Sequence, residues 1–200
     1  MIPLAFALKE RIPNVLKSTI KSSPSQKGNI RFSLGKTQLS LVIAGFSCCV
    51  AMSMPQVHIV SYCGALGFGA ARGAEMLALM LGAGVVSRII SGAVADRIGG
   101  LMTLMIGSLL QCLVLLLYLL FSGLTSLFII SLFFGLAQGG LIPSYALIVR
   151  DHFPANEAAS RVSIVMMATI FGMAVGGWLS GEIFDLTGSY EAAFINGIIF

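Results

Sequence analysis

An arginine interrupts a long apolar stretch at residues 84–100, GVVSRIISGAVADRIGG. Arg88 comes eight residues before Asp96, which corresponds to about 12 Å along an α-helix and places the guanidinium near mid-bilayer. A central arginine costs about 2.5–3.5 kcal/mol on insertion scales, so such a charge usually faces a partner, a cavity or a ligand. Because the planar guanidinium donates two parallel hydrogen bonds and stays charged, Arg88 is a candidate ligand for the carboxylate of an anionic solute.

A structural role for Arg88 is the alternative, in which it pairs with an acid or binds backbone carbonyls of a neighbouring helix. The acidic residues that follow the N-terminal segment all lie near the ends of apolar runs: Glu75, Asp96, Asp151, Glu157, Glu182, Asp185 and Glu191. On a helix, Arg88 also shares a stripe with Gly84, Val85, Ser91, Gly92 and Ala95. A stripe of mostly small residues indicates a face that packs inward or lines a cavity.

Other polar side chains within the apolar runs are candidates for the same solute pathway. They are Ser53, Gln56, His58, Gln138 and Tyr145. Ser53 and Gln56 share a helix face, and Gln138 and Tyr145 are seven residues apart on another. His58 points elsewhere and lies near the outer end of its run. Each of these side chains has two open interpretations, since it could line a pore or donate a hydrogen bond to a neighbouring helix.

The elements that position these residues follow from composition. The chain is 57% hydrophobic and 10% charged, and its mean hydropathy is +0.96, which excludes a soluble domain of this size. Runs of about 20 apolar residues are long enough to cross a bilayer. Five runs meet this length: 39–62, 74–95, 101–121, 126–149 and 161–181. Shorter apolar runs at 1–8 and 192–200 are interpreted as the end of a preceding helix and the start of a following one, which predicts a piece of a longer protein.

Charge predicts how these spans are oriented. Residues 9–36 carry seven basic side chains and one acid, so the segment 9–38 is interpreted as a basic linker. A nucleic-acid-binding arm would have similar charge, but a basic loop between membrane spans is typical of the cytoplasmic side. Residues 182–191 are acidic and fall on the outer side. The sequence therefore predicts a multi-pass protein of the plasma or inner membrane, with the lipid bilayer as a partner and no nucleic acid.

The segment that follows Arg88 resembles a known signature. Gly92, Asp96, Arg97 and Gly99 match the loop GxxxDRxGRR of the major facilitator superfamily, whereas Gly100 and Leu101 replace its final basic pair. The resemblance implies a gating role for this loop. It also implies that residues 39–200 are the C-terminal half of a twelve-helix fold, from helix seven to the start of helix twelve.

Four further segments are similar to the branch that contains monocarboxylate transporters and oxalate–formate exchangers: PQVHIV, VVSR, HFP and GWLSGEIFDLTGSY. This resemblance implies that Arg88, in helix eight, engages the carboxylate of a small organic anion. Gly84 stands where many eukaryotic members carry an acidic partner. The implied function is secondary transport by alternating access, in which this half works together with an N-terminal half. Coupling to a proton or to a second anion is left open, and no metal or cofactor is expected.

Two other classes of function are considered. A truncated or non-transporting membrane module that packs on a partner half would have the same helices. An intramembrane enzyme would need a nucleophile with its base, or paired acids, at one depth. The two histidines, His58 and His152, lie near helix ends and no acid lies in mid-span, so the sequence predicts that the chain is not an enzyme.

Overall fold

The computed structural model describes residues 34–200, and in this range the secondary structure consists of helices and short turns. Predictions for residues 1–8, and for the basic segment up to residue 33, lie outside the described residues. The helices in chain order are α1 (Leu34–Ala65), α2 (Ala70–Ile98), α3 (Gly100–Leu120), α4 (Leu124–Gln138), α5 (Leu141–His152), α6 (Ala155–Thr187) and α7 (Glu191–Ile199).

Five helical stretches within residues 34–200 are long and apolar enough to cross a membrane, with α4 and α5 counting together as one span from Leu124 to His152. This confirms the prediction of an all-α protein with five complete spans. The helix α7 has nine residues, or about 14 Å of rise, so it corresponds to the predicted short C-terminal stretch.

The polar interval between the apolar runs 126–149 and 161–181 suggests a loop over residues 150–160, but this prediction is wrong, because α5 continues to His152 and α6 already begins at Ala155. Pro154 precedes the first helical residue with φ −64° and ψ 146°, an extended conformation that suits a residue just before a helix. Glu157 then accepts a hydrogen bond of 2.7 Å from Arg161, one turn later. The Arg161 guanidinium lies 4.3 Å above the ring of Phe153. Polar residues here stabilise a helix start instead of forming a loop.

Glycines set the distances between the central helices. A methyl group on Gly176 of α6 would collide with the side chain of Ser53 and the backbone of Val50 on α1. A methyl group on Gly139, just after α4, would lie 2.5 Å from the carbonyl oxygen of Gly84 on α2. The backbones of α1 and α6, and of α2 and α4, therefore approach closely, as is common between membrane helices that carry glycine at the contact.

The predicted fourth span, 126–149, is interrupted. α4 ends at Gln138 and α5 begins at Leu141, although Gly139 (φ −60°, ψ −31°) and Gly140 (φ −84°, ψ −12°) keep helical backbone angles. Pro143 explains the interruption, since proline has no N–H to donate to the carbonyl four residues earlier and its ring crowds that carbonyl.

Large apolar side chains cover the outside of the bundle. Leu109 of α3 is 64% exposed, Leu120 at the end of α3 is 72% exposed and Ile170 of α6 is 67% exposed. In water such a surface would be unfavourable, whereas hydrocarbon chains of lipid solvate it. The bundle is thus built to lie in a bilayer.

Candidate functional site

Arg88 lies on the exposed side of α2, ten residues before the helix ends at Ile98, which is about 15 Å along the axis. The ion pairs among residues 34–200 join Arg72 to Glu75, Arg150 to Asp151 and Arg161 to Glu157, so none of them involves Arg88. Within the described residues, the guanidinium therefore has no acidic partner.

The side of α2 next to Arg88 is packed against α4. The hydroxyl of Ser87 donates a hydrogen bond to the carbonyl oxygen of Leu136, and Gly84 is buried beside Gly139. Gly84 and Ser87 therefore form a helix contact, and Arg88 follows Ser87 in sequence on the exposed side of α2. This contact fixes the position of the helical turn that carries the guanidinium.

Gln56 and Gln138 form a hydrogen-bonded pair beside Gly84, which precedes Arg88 by one turn of α2. The Nε2 atom of Gln56, on α1, donates a hydrogen bond of 2.6 Å to Oε1 of Gln138, at the end of α4. The amide nitrogen of Gln138 lies 3.8 Å from the position that a methyl group on Gly84 would occupy. Three helices thus meet beside Gly84, the residue one helical turn before Arg88. A cation beside amide donors can bind and orient a carboxylate.

The other predicted site residues contact other parts of the bundle. Ser53 is fully buried and donates a hydrogen bond of 2.7 Å to the carbonyl of Val50, facing Gly176 of α6. His58 places Nε2 2.9 Å from the carbonyl oxygen of Gly177, also on α6. The structure does not bring these two side chains together with Arg88, and their part in binding stays a prediction.

Tyr145 of α5 is 1% exposed, and its ring lies 3.8 Å from the position of a methyl group on Gly45. The side chain therefore faces α1, as Gln138 does, but lies seven residues further along the chain, a separation of about 10 Å. Tyr145 lines a groove of about 500 Å³ between α1, α3, α5 and α7. The residues that line this groove carry no formal charge, so the groove offers no cation to an anionic solute.

Two polar residues that the sequence does not single out are Gln111 and Ser87. Gln111 of α3 is 3% exposed, lines the same groove, and donates a hydrogen bond of 3.2 Å from Nε2 to the carbonyl of Cys48. Ser87 donates its hydrogen bond to the carbonyl of Leu136 on α4. A glutamine inside an apolar run is visible in the sequence and could have been flagged. The position of Ser87 next to Arg88 was visible too, but its partner on α4 was not.

The loop with the predicted gating motif consists of one residue, Gly99, between α2 and α3. Gly99 has φ +87°, a conformation that strongly favours glycine, and its carbonyl accepts a hydrogen bond of 2.9 Å from Thr103 Oγ1. Asp96 and Arg97 are exposed on the last turn of α2, and neither takes part in an ion pair among residues 34–200. A methyl group on Gly92 would have no atom within 4 Å, so packing inside this bundle does not require glycine there.

Comparison with known families decides the identity of this helical bundle. The family model described as Major Facilitator Superfamily matches residues 39–200. The chain belongs to the major facilitator superfamily. The predicted resemblance of the segment Gly92–Gly99 to this family of membrane transporters is therefore confirmed. Membership also supports the prediction that the chain is not an enzyme.

Among curated proteins, the chain is similar to two relatives named monocarboxylate transporter 13. It is 27% identical to the protein of Bos taurus and 26% identical to that of Rattus norvegicus, in each case over 144 residues. The alignments cover 71% of this chain and 34% of each relative. The chain thus spans about a third of the length of the curated relatives that it matches. This major facilitator chain is an integral, multi-pass membrane protein related distantly to monocarboxylate transporters.

Proposed function

We propose that this chain takes part in the secondary transport of a small monocarboxylate or related organic anion, and that Arg88 binds the carboxylate. One observation carries the proposal: Arg88, at mid-span on α2, is exposed in this bundle and has no acidic partner among residues 34–200. A charge in that position is costly unless it serves a ligand or a partner. The two distant relatives named monocarboxylate transporter 13 support an anionic substrate.

Arg88 performs the recognition step by donating two parallel hydrogen bonds to the carboxylate, because its N–H groups match the spacing of the two oxygens. The paired amides of Gln56 and Gln138, one turn away, offer neutral donors and acceptors to the rest of the solute. No covalent bond changes during passage, so the site needs no nucleophile.

Movement across the membrane requires a second set of helices opposite the exposed face of α2. In the alternating-access scheme the two halves rock around a solute held near the midplane. The exposed face of α2 around Arg88 then forms one wall of the central cavity, and the N-terminal half of a twelve-helix transporter forms the other. Asp96 and Arg97 have no ion-pair partner within the described residues, and we expect them to contact that half when the gate closes.

The ends of the helices support an orientation. Arg97, Arg150 and Arg161 lie at one end of the bundle, and the acidic residues Glu182, Asp185 and Glu191 lie at the other. Basic residues collect on the cytoplasmic side of membrane proteins. We therefore propose that the first end faces the cytoplasm and that the protein belongs to the plasma or inner membrane of its cell.

Uptake by proteoliposomes tests the role of Arg88. The native gene product and two variants, Arg88→Gln and Arg72→Gln, are reconstituted and supplied with radiolabelled acetate, lactate and pyruvate. We expect Arg88→Gln to lower uptake at least about tenfold, since hydrogen bonds to charged groups are worth about 1.5–3 kcal/mol. The control Arg72→Gln removes an exposed surface pair with Glu75 and should transport normally. Uptake by Arg88→Gln at the native rate, or native protein that takes up none of the three anions, would contradict the proposal.

A further inference from the structure

The interruption between α4 and α5 lies against the turn of α2 that carries Arg88. Gly139 and Gly140 occupy the interruption. Methyl groups on these two glycines would lie 2.6 Å from Cβ of Ser87 and 2.5 Å from Cβ of Ser91, respectively. Ser87 and Ser91 therefore flank Arg88 in sequence and lie against the two glycines of the interruption.

The backbone at this point lacks part of its regular hydrogen-bond ladder. In a continuous α-helix the carbonyl of Gly139 would accept a hydrogen bond from residue 143, but Pro143 has no N–H. The carbonyl of Leu136 would accept one from the N–H of Gly140. Here the carbonyl of Leu136 accepts a hydrogen bond from the hydroxyl of Ser87 on α2. A side chain inserted into the ladder is a known cause of helix bending.

The two serines on this face of α2 differ in their partners. Ser87 is 7% exposed, and its hydroxyl crosses from α2 to α4. The hydroxyl of Ser91 donates a hydrogen bond of 3.2 Å to the carbonyl of Arg88 within its own helix. Both side chains contact the glycine pair, but only the hydroxyl of Ser87 bonds to the interrupted span. This difference provides a control within the same helix face.

The interruption also adjoins the second polar group of the proposed site. Gln138 is the last residue of α4, and its Oε1 accepts a hydrogen bond from Gln56 on α1. A change in the angle between α4 and α5 would therefore move the backbone next to the amide pair. It would also move the carbonyl of Leu136, which accepts a hydrogen bond from Ser87. Ser87 is the residue directly before Arg88. The same point on the fourth span thus contacts Ser87, the neighbour of Arg88 in sequence, and carries one of the two amides.

We infer that Ser87 is a positioning residue for transport: its hydroxyl ties the turn of α2 that carries Arg88 to the interrupted backbone of α4, so that binding of the anion at Arg88 changes the angle between α4 and α5. The inference rests on the proposed function of Arg88. A helix bends most easily where its ladder is incomplete, and a cross-helix hydrogen bond at that point transmits a displacement of α2 to α4. Ser87 itself does not contact the solute.

The test separates binding from turnover. Native gene product and the variants Ser87→Ala, Ser91→Ala and Arg88→Gln are purified, and equilibrium binding, initial uptake in proteoliposomes and melting temperature are measured. The probe is whichever of acetate, lactate and pyruvate the native protein takes up fastest. We expect Ser87→Ala to bind the probe within about twofold of native and to transport it at least about threefold more slowly, the size expected for one hydrogen bond between membrane helices. Ser91→Ala should match native protein in both.

The outcomes are distinguishable. If Ser87→Ala transports at the native rate, loses binding and rate in the same proportion, or is no slower than Ser91→Ala, the inference is overturned while the role of Arg88 stands. If Arg88→Gln binds and transports like native protein, or if native protein takes up none of the three anions, the proposed function is overturned and the inference falls with it.

Discussion

Arg88 differs from the other arginines of residues 34–200 in its depth and in its surroundings. Arg72, Arg150 and Arg161 pair with nearby acids, and Arg97 lies on the last turn of α2. Arg88 alone among these five combines a mid-span position with no acidic partner in the described part of the chain. Arg88 was already a candidate site residue from the sequence, because a single charge in an apolar run is visible without any structure.

The paired amides show what the sequence could not provide at the scale of single residues. Ser53 and Gln56 are three residues apart on α1 and were predicted to share a face. In the structure Ser53 faces Gly176 of α6, whereas Gln56 bonds Gln138 at the end of α4. Helical spacing gives the direction of a side chain from its own axis, but the identity of the neighbour depends on how helices distant in sequence pack.

Gly84 allows a direct test of the electrostatics around Arg88. A methyl group there would lie 3.6 Å from the carbonyl of Gly135 and 3.8 Å from Nε2 of Gln138, ordinary contact distances, so a Cβ atom is accommodated without a collision. In Gly84→Asp the new carboxylate lies one turn before Arg88, where opposite charges pair. We expect it to compete with the solute and raise the KM for uptake about tenfold, since a charged hydrogen bond is worth about 1.5–3 kcal/mol.

The matched control for this variant is Gly84→Asn, which has the same size without the charge. We expect a much smaller rise in KM for Gly84→Asn than for Gly84→Asp in the same proteoliposome assay. Equal KM values for the two variants would show that a negative charge at position 84 does not compete with the solute for Arg88.

At the scale of helices, the sequence predicted where spans exist more reliably than where they end. Apolar runs gave five spans, but α1 begins at Leu34 and α6 at Ala155, five or six residues before the runs at 39 and 161. Polar residues at helix ends are solvated beyond the hydrocarbon, so hydropathy does not mark the helix boundary. The interruption of the fourth span at Gly139 and Gly140 was not predicted, although Pro143 is visible in the sequence, and its placement against Ser87 required the structure.

Close packing of α1 on α6 predicts a stability effect at Gly176. In Gly176→Ala the new methyl group meets the side chain of Ser53 and the backbone of Val50, so the two helices must separate. We expect a loss of about 1–3 kcal/mol in the free energy of unfolding, as for other overpacked sites. The measurement is thermal or denaturant unfolding in detergent micelles.

Gly82 on α2 is the control, because a methyl group there would have no atom within 4 Å. Gly82→Ala should leave stability unchanged or raise it by up to about 1 kcal/mol through higher helix propensity. If Gly176→Ala proved as stable as Gly82→Ala, the inference that α1 and α6 are in close backbone contact at Gly176 would be contradicted.

At the scale of the whole molecule, the bundle has a lipid-facing surface and a face that carries Arg88. Family membership was predictable from the loop at Gly92, Asp96, Arg97 and Gly99, since this short pattern stands between two apolar runs, and the match over residues 39–200 confirms it. The proposed transport cycle assigns the face of Arg88 to a cavity shared with a second half. What packs there is a matter of tertiary and quaternary contacts, which no helical pattern in the sequence encodes.

The central claim is that the guanidinium of Arg88 binds the carboxylate of the solute, and a binding cycle tests it most directly. Equilibrium affinities are measured for the best of acetate, lactate and pyruvate, and for its neutral amide, with native gene product and with Arg88→Gln. We predict that native protein prefers the carboxylate over the amide at least about tenfold, and that Arg88→Gln reduces this preference to within about twofold. An undiminished preference in Arg88→Gln would contradict the claim, because the charge of the solute would then be recognised elsewhere.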